Sequence, residues 1–74
     1  MIQPGYYRHY KGNLYLVIGI AQHSETDELL VVYVPLYKHT GYGMFVRPLS
    51  MFQENILHEG KTISRFEFIG AKLT

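Results

Sequence analysis

The chain has 74 residues, with seven Lys and Arg against six Asp and Glu, no Cys and no Trp. This length leaves room for one small domain with one modest core and excludes a second domain. A net charge of +1 excludes the long-range positive field of a dedicated nucleic-acid binder. The lack of Cys excludes disulfides, thiolate nucleophiles and Cys-ligated metals.

Membrane and export signals are not apparent in the sequence. The longest uncharged apolar run, Leu29 to Leu36, is far shorter than the ~20 residues that cross a bilayer. The first five residues, MIQPG, lack the basic and apolar regions of a signal peptide. We therefore expect a cytoplasmic protein with no membrane partner.

Turn-forming residues divide the chain into segments that are rich in aromatic and β-branched side chains, which is typical of strands. The turns fall near residues 11–13, 23–27, 39–43 and 59–61. Strands are predicted at 6–10, 14–22, 29–36 and 44–48, followed by a closing hairpin at 54–69. In the first strand, alternation places Arg8 and Tyr10 on one face and His9 on the other.

The second and third strands are apolar on both faces, and each carries one residue that interrupts a regular strand. Gly19 predicts a bulge or bend of the kind that curls a small sheet. Pro35 cannot donate a ladder hydrogen bond, so we expect it at the end of its strand or on a sheet edge.

The segment after the fourth strand predicts one helical turn. Ser50 to Gln53 matches a capping box, with Ser50 as the residue that accepts from the Gln53 amide. A two-turn helix over residues 51–57 that ends at Gly60 is the alternative. Residues 55–59 and 62–69 otherwise form the two arms of the closing hairpin.

The predicted fold is mostly β: a single SH3-like barrel over residues 1–74, with five to six short antiparallel strands and one helical turn. One alternation face of each strand supplies the core. The expected core residues are Tyr15 or Leu16, Val17 or Ile18, Val31 or Val32, Phe45 or Val46, Phe52, Ile56 and Phe66.

The second apolar face of strands 14–22 and 29–36 is left over after the core is filled. Burying this exposed apolar surface would contribute several kcal/mol of stabilising free energy at ~25 cal/mol per Å². A symmetric homodimer would bury this face, so we predict one. Alternatively, the segment from 44 to 58 folds across it within one chain.

Several motifs resemble those of a family of short, mostly bacterial proteins classed among the domains of unknown function. They are PGYYRHYKG at 4–12, AQHSET at 21–26, VRPLSMF at 46–52 and the pair Arg65-Phe66. The resemblance covers about residues 4 to 69 and implies an SH3-type barrel without an established activity. Phe45 stands where the family usually has Trp, Ser64 where Pro is common, and Pro35 lies in the third strand.

The most polar loop, His23 to Thr26, combines an imidazole, two hydroxyls and the Glu25 carboxylate. These groups suit a general base or a His-x-Glu metal pair. They also suit a turn that is capped by Ser24 and Thr26, with His23 and Glu25 solvated. We favour this second interpretation. No metal, cofactor or catalytic residue is predicted.

A second constellation interleaves cations with rings. Arg8, His9, Lys11 and Arg47 lie beside Tyr residues, Tyr10 among them, and Phe45. In such a set the cations pair with a phosphate or carboxylate while the rings stack on a base. The alternative is that the same rings form the hydrophobic core and the Arg stems pack over them.

Two function classes stay open at this point. The first is a non-catalytic binding module for an anionic ligand such as RNA or a nucleotide, with Arg8, His9, Tyr10 and Arg47 as ligand-binding residues and His23 and Glu25 as further candidates. The second is a protein-interaction domain that grips a peptide or accepts a strand at its edge. An enzyme ranks third, because a chain of this size has little room for a substrate pocket beside its core.

Overall fold

The computed structural model describes residues 2–38, 41 and 43–72. The elements, in chain order, are β1 (Gly5–His9), β2 (Leu14–Gln22), β3 (Leu29–Pro35), β4 (Phe45–Pro48), α1 (Leu49–Phe52), β5 (Asn55–His58), β6 (Lys61–Ser64) and β7 (Phe66–Gly70). The predicted mostly β class is confirmed. Positions 39, 40 and 42 of the predicted turn at 39–43 lie outside the described residues. Among the described residues, no helix is long and apolar enough to span a membrane.

The strands form two antiparallel sheets. The larger has the order β4-β3-β2-β1-β7, and β5 pairs with β6 in a separate hairpin. The bulge predicted at Gly19 is confirmed, because the β2–β3 register shifts between Val17 and Gly19. Pro35 is the last residue of β3, as predicted.

The five-stranded sheet is strongly curled. In a flat sheet, β4 and β7 would lie roughly 19 Å apart, since neighbouring strands are about 4.8 Å apart. The Arg47 guanidinium on β4 nevertheless lies 5.6 Å from the centroid of the Phe66 ring on β7. The pairings among the described residues do not join β4 to β7, so the predicted closed barrel is not confirmed.

The concave face of this sheet holds the core. The buried hydrophobic residues that form the core are Tyr7, Tyr15, Val17, Val31, Tyr33, Phe52 and Phe66. Phe52 on α1 stacks parallel to Phe66, with ring centroids 4.1 Å apart. The predicted core choices Tyr15, Val17, Val31, Phe52 and Phe66 are confirmed, and Phe45 packs against this core from a partly buried position. Ile56 was wrongly placed in the core: it is half-buried and faces Ile63 within the β5–β6 hairpin.

Three details between Pro48 and Gly70 correct the sequence predictions. Pro48 occupies the N-cap position of α1, so Ser50 lies inside the helix and caps nothing. The two-turn helix over 51–57 is wrong because β5 begins at Asn55. The second arm of the closing hairpin, 62–69, is broken at Arg65 into β6 and β7, which belong to different sheets.

The convex face of the large sheet is apolar and uncovered. Leu16 faces Val34 and Val32 faces Val46 across the ladders. Val46 is 60% exposed and Ile18 50% exposed. The segment from 44 to 58 does not cover this face, because its helix packs its buried ring, Phe52, into the core on the other side.

Candidate functional site

His9 stands at the end of β1, surrounded by rings on the concave side of the sheet. Its imidazole centroid lies 4.9 Å from that of Phe66 and 4.6 Å from that of Tyr10. The Tyr15 ring is in T-shaped contact with it, with ring centroids 6.4 Å apart. Its Nδ1 accepts a hydrogen bond from the Lys11 backbone amide at 3.1 Å, which holds the ring in place.

Arg47 reaches the same place from the opposite edge of the sheet. Val31 is its partner in the β3–β4 ladder, and its guanidinium packs over the Phe66 ring. Among the described residues, no carboxylate lies within 4.0 Å of this guanidinium. The half-buried positive charge of Arg47 is therefore not neutralised by an ion pair.

Arg65 brings a second half-buried cation. Its backbone is fixed on both sides, because its amide donates to the Glu54 carbonyl and its own carbonyl accepts from the Tyr10 amide. One guanidinium nitrogen donates to Glu54 Oε2 at 3.4 Å, while the buried Nε has no hydrogen-bond partner. The ion pair is long, so Glu54 only partly offsets the charge of Arg65.

The electrostatics of His9 reflect this crowding of cations. Burial lowers the pKa of His9 below its ordinary value, and the positive charges of Arg65, Arg47 and Lys11 lower it further. The imidazole is consequently neutral at pH 7, and its surroundings favour a negative charge.

Tyr10 extends the group of rings and cations toward the β5–β6 hairpin. The His58 ring lies 5.4 Å from the Tyr10 ring, and Lys11 Nζ lies 5.8 Å from the same ring. We call His9, Tyr10, Lys11, Arg47, Arg65 and Phe66 the basic–aromatic cluster.

Arg8 points away from this cluster. It faces Leu14 on β2 and Glu67 on β7, on the opposite face of β1 from His9, as the alternation predicted. There it lines an open groove of about 440 Å³ between the large sheet and strand β6. We call this the outer groove; it is lined by Arg8, His9, Tyr10, Thr62, Ile63, Ser64 and Glu67.

The His23 loop lies at the other end of β2. His23 Nδ1 accepts from the amides of Glu25 and Thr26 at 3.1 and 3.4 Å, and Thr26 Oγ1 accepts from the Glu28 amide. The imidazole thus takes the capping role expected of Ser24. Among the described residues, no hydrogen bond, ion pair or ring contact joins this loop to the basic–aromatic cluster.

The structure therefore brings together three of the predicted site residues, His9, Tyr10 and Arg47. Arg65 joins them, although the sequence indicated it only as part of the Arg65-Phe66 motif. Its place beside His9 depends on backbone bonds to Glu54 and Tyr10, which no local pattern reveals. The Arg65-Phe66 pair was the available signal, since an aromatic neighbour often carries an arginine stem.

The described residues do not contain a group of three or more His, Cys, Asp or Glu side chains that could hold a metal ion. Phe45 makes an aromatic contact with Tyr33, at 5.9 Å, and packs against the core.

Comparisons with known proteins identify relatives without an assigned activity. A family model described as "Protein of unknown function (DUF1653)" matches residues 5–68. A crystal structure of a protein of that family from Bordetella bronchiseptica is similar over 99% of this chain and 94% of its own, with 40% sequence identity and a TM-score of 0.91. The comparison with curated proteins finds no match.

Proposed function

We propose that this chain, which belongs to the DUF1653 family of proteins of unknown function, is a non-catalytic module that binds the phosphate of RNA or of a nucleotide. The basic–aromatic cluster is the binding surface. One observation carries the proposal: three cations lie next to the rings that flank His9, and Glu54 is the one described carboxylate paired with any of them. Arg47 packs over Phe66, Lys11 lies over Tyr10, and the Arg65 carbonyl accepts from the Tyr10 amide.

The chemistry of the cluster suits a phosphate. A guanidinium donates two parallel hydrogen bonds to phosphate oxygens, and such charge-assisted bonds are about twice as strong as neutral ones. Arg47 and Arg65 are half-buried, so part of their desolvation and ordering cost is met before a ligand arrives. Tyr10 and His9 supply ring edges and faces for a neighbouring base.

The architecture supports a binding role. An SH3-type barrel is our interpretation of the curled sheet and its hairpin, and small β barrels commonly serve as recognition modules. Function nevertheless belongs to the site and not to the fold.

The proposal is tested by titrating a fluorescein-labelled single-stranded RNA decamer with the protein at 50 and 200 mM salt and recording anisotropy. We expect binding that weakens steeply with salt, because phosphate contacts release counterions. Arg47→Ala should weaken binding by about 5- to 150-fold, the equivalent of roughly 1–3 kcal/mol. Arg47→Lys keeps the charge and should lose less.

Lys72→Ala is the matched control. Lys72 lies beyond Gly70, which pairs with Tyr6, so it is at the opposite end of β1 from His9. This variant loses the same charge and should bind like wild type. Equal binding by the Arg47→Ala and Lys72→Ala proteins would disprove the proposed site, and far-UV circular dichroism verifies that each variant is folded.

A protein-interaction domain is the second candidate, favoured by the edge strand β4. Val46 on β4 and the adjacent Met44 are 60% and 61% exposed, and β4 is an edge strand of the five-stranded sheet. Such an edge accepts an extended peptide. Peptide binding through apolar contacts is nearly indifferent to salt, so the salt series separates the two candidates.

A further inference from the structure

The outer groove combines groups that do not match a bare phosphate. Glu67 and Arg8 face each other in the β1–β7 ladder, and both side chains are exposed. Among the described residues, the ion pairs are His58 with Glu59 and Arg65 with Glu54, so neither Arg8 nor Glu67 is paired. The groove therefore offers a free cation and a free carboxylate side by side.

An ionised carboxylate accepts hydrogen bonds and donates none, and its negative charge repels phosphate. The Glu67 carboxylate lies in a groove that shares His9 and Tyr10 with the basic–aromatic cluster. The part of a ligand that enters this groove is therefore expected to be uncharged and to carry O–H or N–H donors. In a nucleotide, the ribose hydroxyls and the base amines are such donors.

The remaining walls favour the ribose. Thr62 and Ser64 on β6 bring two hydroxyls to the groove, and each hydroxyl both donates and accepts. Ser64 Oγ donates a long hydrogen bond of 3.5 Å to Asn55 Oδ1, and it can turn toward a ligand. Hydroxyls opposite a carboxylate match a sugar bearing hydroxyls, whereas a base edge is read best by a planar amide or a bidentate pair.

We propose that the outer groove holds the ribose of a nucleotide whose phosphate lies at the Lys11 and Tyr10 end of the basic–aromatic cluster, with Glu67 accepting from the 2′-hydroxyl and Arg8 balancing the charge of Glu67. This inference rests on the proposed function. It makes the module selective for RNA over DNA, because the 2′-hydroxyl is the group that distinguishes the two.

The test compares labelled decamers of uridine and of deoxyuridine, which differ only in the 2′-hydroxyl. We expect wild-type protein to bind the ribose form at least about fivefold more tightly, the effect of one hydrogen bond to a charged acceptor. Glu67→Gln keeps an uncharged acceptor oxygen and should weaken this preference. Glu67→Ala removes the acceptor and should bring the preference to near unity while leaving deoxyuridine binding within about twofold of wild type. Glu28→Gln, in the distant β2–β3 turn, removes the same charge and should leave the preference unchanged.

The alternative outcomes are distinct. Equal binding of both decamers by wild-type protein would overturn the ribose assignment and leave the proposed function standing. A ribose preference that survives in full in Glu67→Ala would overturn the role of Glu67. A preference for cytidine over uridine with either sugar would assign the carboxylate to a base amine instead. Failure of every decamer to bind would overturn the proposed function and this inference with it.

Discussion

At the scale of single residues, His9 shows how the core and the site share one side chain. Its ring makes a T-shaped contact with Phe66, whose other aromatic contacts are with rings of the core. The same ring is the point on which Arg47, Arg65 and Lys11 converge. Packing therefore fixes the position of the cluster, and that rigidity suits a site that must hold like charges together.

The lowered pKa of His9 predicts a pH dependence of stability. The unfolded imidazole takes up a proton near its ordinary pKa of about 6.5, whereas the folded one does so only at lower pH. Protonation below pH 6.5 thus favours the unfolded chain, and the free energy of unfolding should fall from there toward the folded pKa. The contribution of the neutral His9 imidazole to the free energy of unfolding is present in full above pH 6.5.

Urea denaturation of wild type and His9→Asn between pH 7.5 and 5 measures this effect. Asparagine offers its side-chain oxygen to the Lys11 amide but does not titrate. The difference in unfolding free energy between the two proteins should shrink as the pH is lowered. A difference that is constant across this range would contradict the prediction.

At the scale of elements, the contact between β1 and β7 depends on a close approach of two glycines. Gly5 has φ +138°, and a Cβ built there would lie 2.8 Å from the backbone carbonyl oxygen of Gly70. A side chain at position 5 would therefore push apart the ladder that carries Arg8 and Glu67.

We predict that Gly5→Ala lowers the free energy of unfolding by about 2 kcal/mol, from the disfavoured φ together with the backbone clash. Gly19→Ala is the control, because no atom lies within 4 Å of its Cβ position and its φ is not positive. This control should stay within about 0.5 kcal/mol of wild type. Chemical denaturation measures both, and equal stabilities for the two variants would contradict the role given to Gly5.

The elements also show what the sequence can predict. The positions of β1 to β4 follow from local patterns, and Gly19 marked the bulge near Ile18 correctly. This bulge reverses the alternation in β2, so that Val17 and Ile20 both face the concave side opposite Tyr33 and Val31. That reversal is one reason why the strand is apolar at successive positions.

The break at Arg65 could not be predicted in the same way. Residues 61–70 form a continuous strand-like sequence, and the division into β6 and β7 depends on backbone hydrogen bonds from Arg65 to Glu54 and Tyr10. The same tertiary bonds bring Arg65 into the basic–aromatic cluster. The residue types of the site were therefore predictable, but the complete set of cations was not.

At the scale of the whole molecule, the core lies on only one face of the curled sheet. The concave face holds the seven side chains of the hydrophobic core and, at one end, the basic–aromatic cluster. The convex face carries Leu16, Ile18, Val32, Val34 and Val46 from three adjacent strands, and no charged side chain interrupts this group. The leftover apolar face anticipated from the sequence is thus present.

We predict that a second copy of the chain covers this convex face in a two-fold dimer. Burying several hundred Å² of apolar surface contributes several kcal/mol at ~25 cal/mol per Å², enough for a dissociation constant near or below ~100 μM.

Ile18→Lys combined with Val46→Lys should abolish the dimer without unfolding the chain, because both side chains are at least half exposed. Leu57→Lys, at a 76% exposed position on the separate hairpin, should leave it intact. Sedimentation equilibrium at ~100 μM decides the matter: wild type found only as an 8.6 kDa species would refute the dimer.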